Sequence, residues 1–514
     1  MADGATRPQR RGHRPGGARP DRPAPLMARA AILAVDQGTT NTKALLIAAD
    51  SGEVLGRASH SLGVTIPRPG WAEQSAEAIW GSVAGAFAEV LATTPGVEVA
   101  TIAIANQRET VLLWDAASGE PVAPAISWQC RRTSDRCAAL RPYEAAIVAA
   151  TGLGIDPLAS STKLAWLLDE TPGARARAEA GELRAGTVDS WLLSRLTGGA
   201  AHATDPSNAS RTQLMSLDTL DWDPAMLALF GIPASILATI RPSDSRFGET
   251  RAAGVPSGLP IHTMMGDSHA ALLGHGFADA GQAKVTCGTG SSLMGVTPGR
   301  VHSSHGLWST IAWVKGDQVF HALEGNVAVS GHAAAFAVRL MNLKDEAELG
   351  ALAASVDGSD GVTFVPALAG LGAPHWRDAA RGQLTGMSLG TKPAHVARAV
   401  IEGIALQISD IVFAMDADLG TPLATLSVDG GAASNDLLAQ ILADAIGRPV
   451  LRPHQLDLGA RGVARLAAEA AGLVSAPWPE GPRDRFEPAM READRAAMHS
   501  RWRAAVEAAA RPAG

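Results

Sequence analysis

Short apolar runs, closed by Gly/Thr turns and followed by amphipathic stretches, recur along this chain. The first run is Ala31-Ile32-Leu33-Ala34-Val35, ending at Asp36 and a Gly38-Thr39-Thr40 turn; a second covers 44–48, before Asp50-Ser51-Gly52. Two strands flanking a Gly/Thr turn predict a β-hairpin. Residues 73–92 carry helical spacing, and 97–105 read as a buried strand ending at Asn106-Gln107-Arg108-Glu109-Thr110. Strands alternating with helices predict an α/β domain.

The pattern restarts near residue 282. Lys284-Val285-Thr286 leads into Cys287-Gly288-Thr289-Gly290, and Leu293-Met294-Gly295-Val296 supplies a return strand. Later, Leu426-Ser427-Val428-Asp429 ends at Gly430-Gly431, with Asn435 and a helical stretch behind it. The expected organisation is therefore a first domain over 30–275, a second over 276–475 and a helical tail over 476–514. That tail carries a helix near 489–509, and Gly276 to Gly281 is the expected hinge.

Length and composition agree with this division. A chain of 514 residues exceeds one ordinary core, and 46% hydrophobic with 18% charged residues suits a well-packed globular enzyme. No apolar run approaches the ~20 residues that span a bilayer, so no membrane partner is expected. Residues 1–29 hold seven Arg and two Asp among many Pro and Gly, a composition that predicts a disordered tail. Without it the body keeps 37 basic (44 − 7) against 49 acidic residues (51 − 2), about −12, which argues against nucleic acid as a partner. Cysteines occur only at 130, 137 and 287, in no metal-binding spacing, as in a reduced cytoplasmic compartment.

Candidate chemistry starts at the turns. A glycine in a tight hairpin lets backbone N–H groups approach phosphate oxygens, and Thr hydroxyls add donors. Asp36, at the strand end, is suited to hold Mg²⁺ through water. Gly and Thr are also ordinary hairpin residues, so one such turn carries little weight. Two of them opening successive α/β halves, with Gly430-Gly431 after a third strand, resemble the actin, Hsp70 and sugar-kinase superfamily. That resemblance implies two ribonuclease-H-like domains with ATP in the cleft between them.

Longer segments narrow it. Asn106-Gln107-Arg108-Glu109-Thr110, Trp128-Gln129-Cys130-Arg131-Arg132-Thr133, Gly186-Thr187-Val188-Asp189-Ser190-Trp191-Leu192, Asn208-Ala209-Ser210-Arg211-Thr212 and Gly370-Leu371-Gly372-Ala373-Pro374 resemble the FGGY carbohydrate kinases, in particular their glycerol-phosphorylating branch. The resemblance covers about 31–475. It implies ATP-dependent phosphorylation of a primary hydroxyl of a small polyol, with Asp267 of Gly266-Asp267-Ser268-His269 as the base. A substrate hydroxyl has a high pKa, and a positioned carboxylate can accept its proton during transfer. Arg108 and Glu109 would hold adjacent hydroxyls, with Trp128 as an apolar wall and Ser268 beside them. Thr39, Thr40, Asn41, Lys43, Gly288, Thr289, Gly331, Gly431 and Asn435 would hold ATP, and Asp36 with Asp267 the Mg²⁺. A homodimer or homotetramer is the expected assembly.

Three positions depart from that branch: Leu158 stands for a tyrosine, Ser268 for a glutamine and Ser292 for an aromatic residue. Unless neighbours such as His269 or His321 refill the space, the pocket would suit a four- or five-carbon polyol or ketose. On the nucleotide side Lys43 replaces an arginine and Ala335 a polar residue. Two other classes compete. A Gly-Asp-Ser hydrolase would use Ser268 as nucleophile but would leave the Asp36 turn unexplained. A non-catalytic sugar-responsive regulator would need a DNA-binding segment, which the Pro/Gly-rich first 29 residues do not supply. His262, His269 and His275 fit no helical metal-ligand spacing.

Overall fold

The computed structural model describes Met1 and residues 29–327, 329–474 and 476–511. The expected tail at 1–29 lies outside the described residues apart from its ends; Arg29 already belongs to the first strand.

The first hairpin pairs Arg29–Gln37 with Asn41–Ala48 antiparallel, as the run–turn–run pattern predicts. Val54–Ser61 extends it on one side. On the other side Val97–Asn106 and then Pro260–Gly266 add in parallel, and Gly248–Glu249 closes the edge. The inner strands are apolar on both faces because helices cover both, so the runs are continuous rather than alternating.

The second sheet repeats the plan. Gln282–Cys287 and Ser291–Thr297 form its hairpin, Gln318–Val327 and Trp308–Lys315 extend it, and Thr425–Asp429 and Val450–Pro453 add in parallel. A long helix, Pro393–Leu419, buries an almost continuous face against this sheet.

One element crosses over. The helix Leu458–Ala470 lies in sequence between two strands of the second sheet, yet it packs on Arg29–Gln37, Val97–Asn106 and Pro260–Gly266 of the first. Gly462 and Gly274 make this possible: a Cβ on either would fall 1.9 or 2.0 Å from a backbone oxygen of the other helix. The tail helix, Glu492–Ala509, buries Trp502, whose indole N–H donates to Asp410 at 2.8 Å.

Candidate active site

In parallel α/β sheets ligands collect beyond the carboxyl ends of the strands. Asp36, Arg108, Asp267 and Asp429 all stand at or just past such ends. They converge on the cleft between the two sheets.

Asp267 opens the helix Asp267–Gly274, whose N-cap is Gly266 rather than Asp267 itself. Its Oδ1 accepts from the Ser268 backbone N–H at 2.6 Å and lies 3.2 Å from Arg108 Nε, while 40% of the side chain stays accessible. Gly266 is required here because a Cβ would fall 2.7 Å from the Arg108 side chain. Burial raises the Asp267 pKa against the opposing pull of Arg108. Asp36 is pushed up to about 7 by burial and by the neighbouring charge of Asp267, with only Lys43 opposing. Two carboxylates that repel each other and lack enough protein cations suit a hard divalent cation. Mg²⁺ is held in just this way, by one or two carboxylates with water and phosphate completing its shell.

Behind Asp267 runs a chain of alternating charge. Arg108 Nη2 reaches Glu324 at 2.8 Å, Glu324 pairs with Arg211 at 2.8 Å, and Arg211 Nε donates to Glu109 at 2.7 Å. Glu324 is held well below the usual carboxylate range: burial works against its charge, but the two guanidiniums outweigh it. Burial works against the charge of Arg108 as well, but Glu324, Glu109 and Asp267 outweigh it and keep Arg108 charged. Arg108 Nη1 is buried and has no hydrogen-bond partner among the described residues. Glu109 adopts φ 59°, in the left-handed region that non-glycine residues hold uncommonly.

The expected nucleotide residues fall into two groups. In the first turn, Gly38 N–H bonds Asn41 O at 2.9 Å, leaving Thr40 and Asn41 exposed. Thr39 Oγ1 accepts the Trp128 indole N–H at 2.9 Å, so Trp128 is anchored by a polar contact as well as offering an apolar wall. In the second turn Thr289 is exposed, and the Gly288 oxygen accepts from Gly331 N–H at 3.0 Å. A Cβ on Gly331 would lie 2.5 Å from that oxygen.

Two further expected residues are engaged in structural contacts. Lys43 donates to Asp457 at 2.8 Å, and Asn435 caps the helix Asp436–Ile446 by accepting from Leu437 and Leu438 N–H. The glycine demanded at the third turn is Gly430 (φ 89°, its Cβ position 2.5 Å from Cys287 O), whereas Gly431 faces open space.

The substituted positions are not empty. Lys284 Nζ bonds Ser268 Oγ at 2.5 Å, and Ser292 Oγ donates to Glu324 at 2.8 Å, so buried charged groups reach both serines. The suggested filler His321 sits elsewhere, beside Arg300 and Asp218, and His269 contacts Thr310 at 3.3 Å. His262 and His275 bond Thr101 and Asp429, so the three histidines of that stretch have three separate partners. Arg211, Lys284 and Glu324 are the site residues that sequence reasoning missed. Arg211 lay inside a quoted motif, and a charged residue in each apolar strand was the available signal for the other two.

Two like-built α/β halves, a phosphate-type turn at each hairpin and a carboxylate beside a guanidinium in the cleft define a two-domain phosphotransferase. Comparison with known proteins makes this specific. The N-terminal domain of the FGGY family of carbohydrate kinases matches residues 31–274 and its C-terminal domain residues 283–471. The chain belongs to the FGGY family of carbohydrate kinases and is a phosphotransferase that uses ATP. It is 46% identical to a glycerol kinase of Alkalilimnicola ehrlichii over 488 residues, covering 93% of this chain and 98% of that protein. A glycerol kinase of Thermus brockianus is 45% identical with the same coverage. Among solved structures, Plasmodium falciparum glycerol kinase with ADP superposes with a TM-score of 0.88 at 30% identity, over 94% of this chain and 98% of that one. A xylulose kinase from Rhodospirillum rubrum superposes at 0.81 with 25% identity, over 93% and 98%.

Proposed function

We propose that this enzyme transfers the γ-phosphoryl group of ATP to a primary hydroxyl of glycerol, forming glycerol 3-phosphate, with Asp267 as the base. The observation that carries the reading is the Asp267 carboxylate. It is accessible, set at a helix start on the cleft floor and oriented by Arg108 at 3.2 Å. Arg108 and Glu109 orient the polyol, Trp128 covers its carbon backbone, and Asp267 accepts the hydroxyl proton as the oxygen attacks in line. The turns at Thr39-Thr40-Asn41 and Gly288-Thr289 offer backbone N–H and hydroxyl donors to the phosphates, and Gly331, Gly431 and Asn435 line the nucleotide end. Asp36 and Asp267 would hold Mg²⁺, which when bound neutralises charge on the transferring phosphates.

The hydrogen bonds of Ser268 and Ser292 to buried Lys284 and Glu324 favour glycerol over a larger polyol at that end of the site. A hydrolase reading with Ser268 as nucleophile finds no support, because both FGGY kinase domains match the chain and the Ser268 side chain is buried. Exposed Met387 and Leu389 would supply apolar contact in a homodimer or homotetramer. Three buried free thiols suit a cytoplasmic setting.

The decisive experiment is a coupled ADP-release assay over glycerol, erythritol, dihydroxyacetone and the common pentitols and pentuloses, repeated with Asp267→Asn. Turnover should be highest on glycerol, and the variant should lose on the order of 10³-fold or more in kcat at little change in KM for ATP. A variant with near-normal turnover would sink the base assignment, and a clear preference for erythritol or a pentitol would overturn the choice of glycerol.

A further inference from the structure

Lys284 and Glu324 are both wholly buried, one on each of two strands of the second sheet that flank Ser291–Thr297. Burying an ammonium or a carboxylate is costly unless it is paired or hydrogen-bonded. Two hydroxyls lie between them. Lys284 Nζ is 2.5 Å from Ser268 Oγ and 2.8 Å from Thr286 Oγ1; Ser268 Oγ is 3.2 Å from Ser292 Oγ; Ser292 Oγ is 2.8 Å from Glu324 Oε1.

Donor accounting fixes the direction. An ammonium only donates and a carboxylate only accepts, so Ser268 accepts from Lys284 and Ser292 gives its one hydrogen to Glu324. The Ser268 hydrogen therefore goes to Ser292. Every hydroxyl hydrogen in the chain is committed, running from the positive end to the negative one. At Glu324 the chain meets Arg108 Nη2 at 2.8 Å, and Arg108 Nε faces Asp267 at 3.2 Å.

Ser268 belongs to the helix that Asp267 opens, while the other members belong to the second sheet. We propose that Lys284–Ser268–Ser292–Glu324 is a one-directional hydrogen-bond chain that ties the base-bearing helix to the second half and holds Arg108, hence Asp267, in register for transfer. Ser268 and Ser292 are on this account positioning residues. The proposal rests on Asp267 being the base, which the Asp267→Asn variant tests separately.

The test is a cycle of Ser268→Ala, Ser292→Ala and the double variant, read as kcat, both KM values and thermal midpoint on the polyol with the highest turnover. A chain is broken once, so each single variant should lose about tenfold in kcat with KM for ATP unchanged, and the double variant should be no worse than the poorer single. Ser292→Thr, which keeps the hydroxyl, should recover most of the loss. Where an alanine variant fails to fold, the cysteine variants keep the volume with weaker hydrogen bonds and carry the same expectation. Losses that multiply in the double variant, or a lowered midpoint with normal kcat, would overturn the proposal.

Discussion

At the residue scale the cleft is organised by how each charge is compensated. Glu324, Glu109, Arg108 and Arg211 compensate one another within the protein, whereas Asp36 faces Asp267 with only Lys43 against it. Its pKa near 7, above the ordinary carboxylate value, means that the folded state binds the proton more tightly than the unfolded chain. The ionised carboxylate therefore costs stability, and the cost grows as pH rises from about 4 to about 7 and is constant above that. In EDTA, Asp36→Asn should melt above the parent at pH 8, and the gap should close below pH 4. Mg²⁺ should narrow the gap by stabilising the parent alone; an equal effect on both proteins would contradict the metal assignment of Asp36. Asp36 and Asp267 were legible from strand-end and motif position. Their mutual repulsion was not, because they are 231 positions apart in sequence.

At the element scale the two hairpins and their turns were readable because the causes are local. An apolar run, a glycine turn and a return run decide the hairpin within about twenty residues. The close packing of the helix Asp267–Gly274 against Leu458–Ala470 is not local. A Cβ on Gly462 would sit 1.9 Å from Ala270 O, a contact that no flexible side-chain end can relieve. Alanine would gain up to about 1 kcal/mol in helix propensity, but overpacking of this kind costs typically 1–3 kcal/mol or more. Gly462→Ala should therefore be less stable than the parent in urea unfolding, and should lower kcat by displacing the helix that begins with Asp267. A variant more stable than the parent would show that the helices can separate without cost.

At the scale of the whole molecule, the sequence order suggested two domains joined at a glycine hinge. In the fold the second half lends its helix Leu458–Ala470 to the first sheet. Asp457, just before that helix, accepts from Lys43 at 2.8 Å and from Arg57 at 2.7 Å, both on the first sheet. Trp478 adds an indole hydrogen bond to Ala49 O at 2.8 Å. A first half stripped of these groups would expose the apolar faces of its central strands. Calorimetry should accordingly give a single transition with matching calorimetric and van't Hoff enthalpies. Two resolved transitions would mean that each half is self-sufficient.

The sequence by itself determined whatever depends on short-range stereochemistry: the strand–turn–strand openings, the glycines at their turns, and the strand-end positions of Asp36, Arg108 and Asp267. The tertiary structure alone decided which charges meet. Lys284 and Glu324 lie in apolar strands and Arg211 in a quoted motif; only the fold brings a counter-charge within 3 Å of Glu324 and Arg211, and two hydroxyls within that distance of Lys284. The same long-range contacts decided that Ser268 and Ser292, which read as lost volume in a linear chain, are bonded to buried charges instead. Burying a charge is costly unless its partner arrives with it, and that partner is supplied by the fold, not by neighbouring sequence.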